Sequence, residues 1–325
     1  MPRRAPLPFA LSTAIAGVLG ATPLHAAESS EGDLAVELDR IDVVAERYLG
    51  EVASGGARIE VPVRDLPIAL TVVNQGLLED LQIRNTGEAA DQVAGVSRRI
   101  GGPGAFANDF VMRGFSTFSS GTAWNGFRSD GFIAARDPQQ YERIEFLKGP
   151  ASVLYGATGA LGGLVNYVTK TPQRERFGVL GLAAGEQGFG RATLDANAPL
   201  GPSAESRLNL AWNRADRLAG WQDDESQLVA PSFRWRPNEK VALLVDVFDF
   251  RGEESGREST SRPAVPQSFD IDPVLRLGER DSVREVTNRG GRIEANVALS
   301  NEVNLRQGFY WARLCENSLS AGKIS

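Results

Sequence analysis

Arg191-Ala192-Thr193-Leu194-Asp195-Ala196-Asn197-Ala198 alternates between polar and small or apolar residues at every step. Arg292-Ile293-Glu294-Ala295-Asn296-Val297 repeats the pattern. A period of two sends successive side chains to opposite faces, as in a strand with one apolar and one polar side. Val229, Phe233 and Trp235 share one face of a further segment, with Ser232, Arg234 and Arg236 on the other, and Val241, Leu243, Val245 and Val247 continue the series. Seven such segments are expected, near 177–185, 190–200, 206–214, 226–236, 240–250, 290–299 and 303–314. Tight turns at 201–205, 237–239 and 300–302 alternate with longer connections at 215–225 and 251–289. A water-soluble sandwich and an outer-membrane barrel both alternate in this way. The regular asymmetry of the connections, and the aromatics Trp212, Trp221, Trp235, Phe309, Tyr310 and Trp311 near strand ends, favour the barrel.

The chain before these strands begins with an export signal. Arg3 and Arg4 precede a mostly apolar stretch, 7–24, and Leu24-His25-Ala26 supplies a small residue for cleavage after Ala26. Removing 1–26 takes away the only histidine, His25, and moves the formal charge from -6 to -8 because two arginines go with it. An acidic chain is a poor general binder of nucleic acid. Without histidine, Ser-His-Asp and Cys-His arrangements and histidine metal sites cannot form, and the single Cys315 allows no intramolecular disulfide. Glu142 with Glu145, and Asp246 with Asp249, are read as surface or pairing charges, so no catalytic residues are assigned and no enzyme is expected.

Residues 27–60 are acidic, with Ser54-Gly55-Gly56 as a flexible joint. Ile41, Val43 and Val44 give the tail one short extended run, suited to adding a strand to a partner's sheet edge or to remaining unstructured. From Val61 to Pro172 the texture is that of a small α/β globule. Val61–Pro67 reads as extended, Ile68, Leu70 and Val72 alternate as a strand, and Asn74 can cap a helix through Leu77, Leu78 and Leu81. A second helix is expected from Thr86 to Gly95, with strands at 109–112 and 143–147. The glycines of 156–163 lack Gly-Lys-Ser/Thr and any strand-linked Gly-x-Gly-x-x-Gly, so they are read as turns rather than a phosphate cradle.

Several motifs then resemble one family in order along the chain. Val63-Arg64-Asp65-Leu66-Pro67, Val93-Ala94-Gly95-Val96-Ser97, Phe110-Val111-Met112-Arg113-Gly114-Phe115 and Tyr141–Gly156, continuing through Gly162–Pro172, are similar to the plug domain of TonB-dependent outer-membrane receptors, the ferric-siderophore group in particular. The resemblance implies an α+β plug, a small mixed sheet with short helices, followed by antiparallel transmembrane β-barrel strands. It divides the chain into a signal peptide, 1–26; a tail, 27–60; a plug, 61–172; and the first seven or so barrel strands, 173–325.

It also implies transport without covalent catalysis or cofactor, the ligand being an Fe3+-siderophore complex. The partners implied are the energy-coupling protein TonB, the barrel-assembly machinery and outer-membrane lipid. The segment holding Leu38, Arg40, Ile41, Asp42, Val43, Val44 and Ala45 resembles the TonB box. Arg113 and Arg143 match plug arginines that pair with glutamates of the barrel wall, though ordinary pairing within the plug fits equally. Arg98, Arg99, Phe106, Trp124 and Phe127 are expected at the plug apices, where they could pair with or stack on an anionic chelate; loop packing is the plainer alternative. Cobalamin, haem or a carbohydrate could use the same architecture, haem least readily without a histidine. Family barrels have about 22 strands and need about 500 residues at 20 to 25 per strand and connection. Seven strands are therefore expected to form an incomplete barrel from a shortened chain, and a soluble exported plug is the alternative.

Overall fold

The computed structural model describes residues 52–53, 61–65, 68–98, 109–117, 121–129, 137–149, 161–186, 188–217, 222–255, 283–300 and 303–319. The chain divides into two units, Met1–Asp42 and Val43–Ser325, and every described residue belongs to the second. The expected signal segment and the tail residues 38–45 lie outside the described residues.

Ten short strands come first: β1 (Val52–Ala53), β2 (Val61–Pro62), β3 (Ala69–Asn74), β4 (Val96–Arg98), β5 (Phe110–Met112), β6 (Phe115–Ser116), β7 (Thr122–Trp124), β8 (Phe127–Ser129), β9 (Tyr141–Lys148) and β10 (Gly163–Thr169). A five-stranded sheet runs in the order β3-β9-β10-β7-β8. It is mixed, because β10 and β7 are parallel while the other neighbours are antiparallel. β4, β5 and β6 make a second small sheet, and β1 pairs with β2.

Asn74 sits at the end of β3 and accepts a hydrogen bond from the Leu77 amide at 3.1 Å, starting helix α1 (Gln75–Asp80). The second expected helix is instead a 3-10 turn over Glu88–Gln92. Side chains before it compete for the backbone: the Arg84 amide donates to Glu88 Oε2 at 2.7 Å, and the Glu88 amide to Asn85 Oδ1 at 3.2 Å. A 3-10 turn also occupies Val63–Asp65, where a fully extended chain is expected.

Val73, Leu78, Phe110, Ile144, Phe146, Val165 and Tyr167 are buried together, with the Phe110 and Phe146 rings edge to face at 5.7 Å. Gly162 and Gly163 admit the backbone to this core. A Cβ at Gly162 would collide with the Met112 carbonyl, and one at Gly163 with the Leu147 carbonyl.

Seven longer strands follow: β11 (Phe177–Ala184), β12 (Gly190–Pro199), β13 (Ala204–Arg217), β14 (Gln222–Asn238), β15 (Val241–Ser255), β16 (Val283–Ala298) and β17 (Asn304–Leu319). They pair antiparallel in chain order as one sheet that does not close on itself. Several run beyond the expected limits. The ladder continues through charged pairs such as Glu254↔Arg284, where apolar alternation no longer marks a strand.

The two faces of this sheet are opposite in polarity. Phe233, Val245, Ile293 and Phe309 face each other in one row across β14 to β17 and point outward. Arg207, Ser232, Asp246, Arg292 and Tyr310 form a row across β13 to β17 that points inward, toward the plug. Ile293 is 51% exposed and Phe309 65%, whereas Arg292 and Asp246 are 2% and 4% exposed. A soluble sandwich would bury the first row and solvate the second. An apolar exterior around a polar interior is the pattern of a barrel wall in lipid. Val245→Arg should therefore weaken insertion by about 2–4 kcal/mol near the membrane midplane. Reconstitution into lipid vesicles should show that loss, with Thr287→Arg, outward above the apolar rows, nearly silent.

Candidate functional site

The inward face of β12 to β17 grips the plug through directional polar contacts, concentrated on the segment that leaves it. Arg292 donates to Thr169 Oγ1 at 3.0 Å, Arg207 to the Thr171 carbonyl at 3.0 Å, and Asn197 exchanges bonds with the backbone of Gln173, both at 2.9 Å. Between these, the Lys170 ammonium meets Asp195 at 2.8 Å with only 1% of its side chain exposed. Arg207 binds the same carboxylate with Nε at 2.8 Å and Nη2 at 2.7 Å. One buried anion thus faces two buried cations. Burial holds the Lys170 pKa below the ordinary lysine value; Asp195 only partly offsets this, while Arg207 adds repulsion.

A second grip is made on Asp137, which caps the 3-10 turn Pro138–Gln140 through the Gln139 amide. Arg191 clasps the Asp137 carboxylate with two bonds, at 2.7 and 2.8 Å, and Asn213 adds a third at 2.6 Å. A third grip holds the β7–β8 turn. Arg306 donates to the Asn125 carbonyl at 3.2 Å, and Asn125 Oδ1 accepts from the Thr169 amide at 2.9 Å. The wall behind these contacts is itself paired: Arg292 binds Asp246, while Arg306 and Tyr310 meet Glu294 at 2.8 and 3.0 Å. A cavity of about 260 Å³ separates α1 from β11 and β12, lined by Gln75, Glu79, Tyr141, Lys170, Arg191 and Asp195 among others.

The structure distributes the sequence-expected site residues differently. Trp124 is 4% exposed and packs edge to face on Phe248 and Tyr310, at 5.4 and 5.5 Å. Phe127 lies against Tyr310 at 4.4 Å, with the Arg306 guanidinium over its ring at 5.3 Å. Both therefore pack between plug and wall; β7 pairs with the central strand β10, which draws this hairpin against the sheet. Arg98 is exposed and ion-paired to Asp91 at 2.7 Å, and Arg99 and Phe106 lie outside the described residues.

Of the two arginines expected to reach the wall, Arg143 bonds Glu145 at 2.8 Å and Glu142 at 2.9 Å. Both carboxylates belong to its own strand, and Glu145 also accepts from Asn166 at 2.9 Å, so these bonds are internal to the plug. Arg113 is exposed, with φ +49°, and makes no ion pair among the described residues; its guanidinium lies over Gly149. Among the described residues, Lys170 with Asp195 and Asp137 with Arg191 carry the plug–wall ion pairs, Arg207 bracing Asp195 from within the wall, and sequence reasoning gave none of them a role. Their signal was present: Asp195 and Arg191 occupy polar positions of an alternating strand whose polar face is here the buried one.

Residues 62–164 match the TonB-dependent receptor plug domain. The metal-pseudopaline receptor CntO of Pseudomonas aeruginosa is 35% identical over 231 residues, 70% of this chain and 32% of that protein. The ferrioxamine receptor of Yersinia enterocolitica is 27% identical over 229 residues, 69% of this chain and 32% of the receptor. In three dimensions the chain is similar to the pyoverdine outer-membrane receptor FpvA of Pseudomonas aeruginosa PAO1, with a TM-score of 0.73 at 21% identity over 82% of this chain and 40% of that one. The ferric preacinetobactin receptor BauA of Acinetobacter baumannii gives a TM-score of 0.71 at 21% identity, covering 82% and 41%. The chain spans about a third of the length of the curated relatives it matches. The chain thus carries the plug domain of the TonB-dependent receptors, and the curated relatives it matches are receptors rather than enzymes.

Removing the shared anion tests the first grip. Asp195→Asn leaves Lys170 and Arg207 buried without their carboxylate, a loss of about 3–5 kcal/mol for a broken buried pair. Trypsin should then cleave after the exposed Arg174 and Arg176 at least tenfold faster than in the unaltered chain. Equal cleavage rates would show that Asp195 does not hold this segment.

Proposed function

We propose that the chain supplies the tail, plug and first barrel strands of a receptor that imports a ferric siderophore across the outer membrane. The observation that carries this reading is the plug held against an inward polar wall by the Thr169–Gln173 and Asp137 grips. Ion pairs and hydrogen bonds can be exchanged for bonds to water, so such a plug can be moved without uncovering a large apolar surface. The cavity beside Lys170 already brings open space to this interface. Receptors for ferrioxamine, pyoverdine and metal-pseudopaline among the similar proteins support a metal chelate as the ligand class.

In this reading residues 1–26 direct export, 27–60 form the tail, 61–172 the plug and 173–325 barrel wall. Leu38, Arg40, Ile41, Asp42, Val43, Val44 and Ala45 add a strand to TonB, whose pull loosens the plug from the wall. Arg98, Arg99 and Phe106 take part in holding the chelate on the outer side, and the barrel-assembly machinery places the strands in the membrane. The exposed Val179, Leu182, Ile293 and Phe309 argue against the soluble exported form, because each would stand in water.

Ile41→Pro separates coupling from binding. Proline removes a backbone donor from an extended segment, so strand addition to TonB is lost while the plug and wall are untouched. In cells whose ferric-siderophore uptake depends on the gene encoding this chain, radioactive iron uptake should fall to the level of a TonB deletion. Binding of the chelate to those cells should remain within twofold. Undiminished uptake would remove residues 38–45 from the mechanism.

A further inference from the structure

One inward position nearer the tight turns than Arg207, the wall carries a different balance of charge. Glu205, Arg234, Leu244 and Glu294 face one another there across β13 to β16. Two residues along a strand span about 7 Å, so this row lies that far beyond Arg207, Ser232, Asp246 and Arg292. The short connections 200–203 and 239–240 follow at once, and the Arg236 amide donates to the Ser203 carbonyl at 2.7 Å. In an outer-membrane barrel short turns mark the periplasmic end.

Every carboxylate in this row is already committed. Glu205 is 2% exposed and stands directly opposite Arg234, yet it is bonded by Arg236, with Arg174 3.9 Å away. Glu294 is taken by Arg306 and Tyr310, at 2.8 and 3.0 Å. Arg234 is therefore half-buried between two acids that bond other groups, and it makes no hydrogen bond or ion pair among the described residues. A cation withdrawn from water without a partner is costly, and an arriving anion removes that cost. Arg174 and Arg236 are 78% and 27% exposed at their side chains, so the group is open to an incoming ligand. Three guanidinium groups here face the single charge of Glu205.

We propose that Arg174, Arg234 and Arg236 form an anion site on the periplasmic side of the plug, which receives the anionic iron chelate as it leaves. The identity of the ligand rests on the import reading above; the surplus of positive charge does not. Arg174 follows directly on the gripped segment Thr169–Gln173, so a ligand passing a loosened plug meets this group next. Guanidinium forks hold carboxylate and other oxyanion oxygens in pairs, which suits a chelate rich in such oxygens. Once Lys170 and Asp195 pair again, the way back is closed.

The test uses the full chain purified in detergent and ferric citrate labelled with radioactive iron as the anionic probe, with binding read by equilibrium dialysis. Arg234→Gln removes a guanidinium that has no partner to lose, and binding should weaken about tenfold, the scale of one charge-assisted hydrogen-bonded group. Arg174→Gln, at an exposed position, should weaken binding too, so the outcome does not hang on the folding of one variant. Arg214→Gln should bind as the unaltered chain does, since Arg214 is 54% exposed, faces Asp216 at 3.8 Å and lies toward the other end of β13. Equal binding by all four proteins overturns the site. Equal affinity for inorganic phosphate overturns its assignment to a chelate. A chain that imports no iron in the uptake assay overturns the import reading, whereas dialysis needs no transport and decides the site by itself.

Discussion

Asp195 is the point at which the two halves of the structure become one. Its carboxylate lies 2.8 Å from Lys170, at the last turn of the plug, and 2.7 Å from Arg207 on the next strand of the wall. All three side chains are buried, so none can exchange its partner for water without the interface opening. The surrounding bonds to Thr169, Thr171 and Gln173 follow from that placement. With Lys170 held on β12, the Thr169 hydroxyl meets Arg292, and the backbone at Thr171 and Gln173 meets Arg207 and Asn197.

That arrangement demands a wall built inside out relative to soluble proteins. The same period of two that would bury Ile293 and Phe309 in a sandwich turns them outward here, and the polar partners of the alternation become the interior. The plug supplies what makes this tolerable, because its own charged and amide groups meet those of the wall. Trp124 is the main exception, an apolar ring set among Phe248 and Tyr310 where the wall is locally aromatic.

The strands and the short helix at Asn74 were legible from local pattern, since alternation and a capping side chain act within a few residues. The mixed plug sheet was legible only through resemblance, because β7 and β10 are far apart in sequence and their parallel pairing leaves no local mark. The strand extensions beyond Phe250 and before Gly290 were missed because Arg251, Glu253, Glu254, Arg284 and Glu285 break the apolar alternation, and hydrogen bonding rather than hydrophobicity continues the ladder. The plug–wall pairs were missed for a related reason. A polar residue on an alternating strand gives no sign of whether its face meets water or another charged surface. Arg113 and Arg143 were singled out by motif, yet Arg143 bonds carboxylates two residues or fewer away in its own strand.

The bidentate clasp of Arg191 on Asp137 has a consequence for what happens after the plug has been disturbed. Apolar contact tolerates sliding, whereas a planar fork on a carboxylate is satisfied in one register only. With the Asp137, Asn125 and Lys170 grips spread over three separate stretches of the plug, a displaced plug meets the wall as a keyed part meets its seat. A misaligned return would leave buried charges unmatched. On the proposed transport reading, the wall would gauge its own resealing, and fidelity of closure would come from the polarity that lets the plug be released.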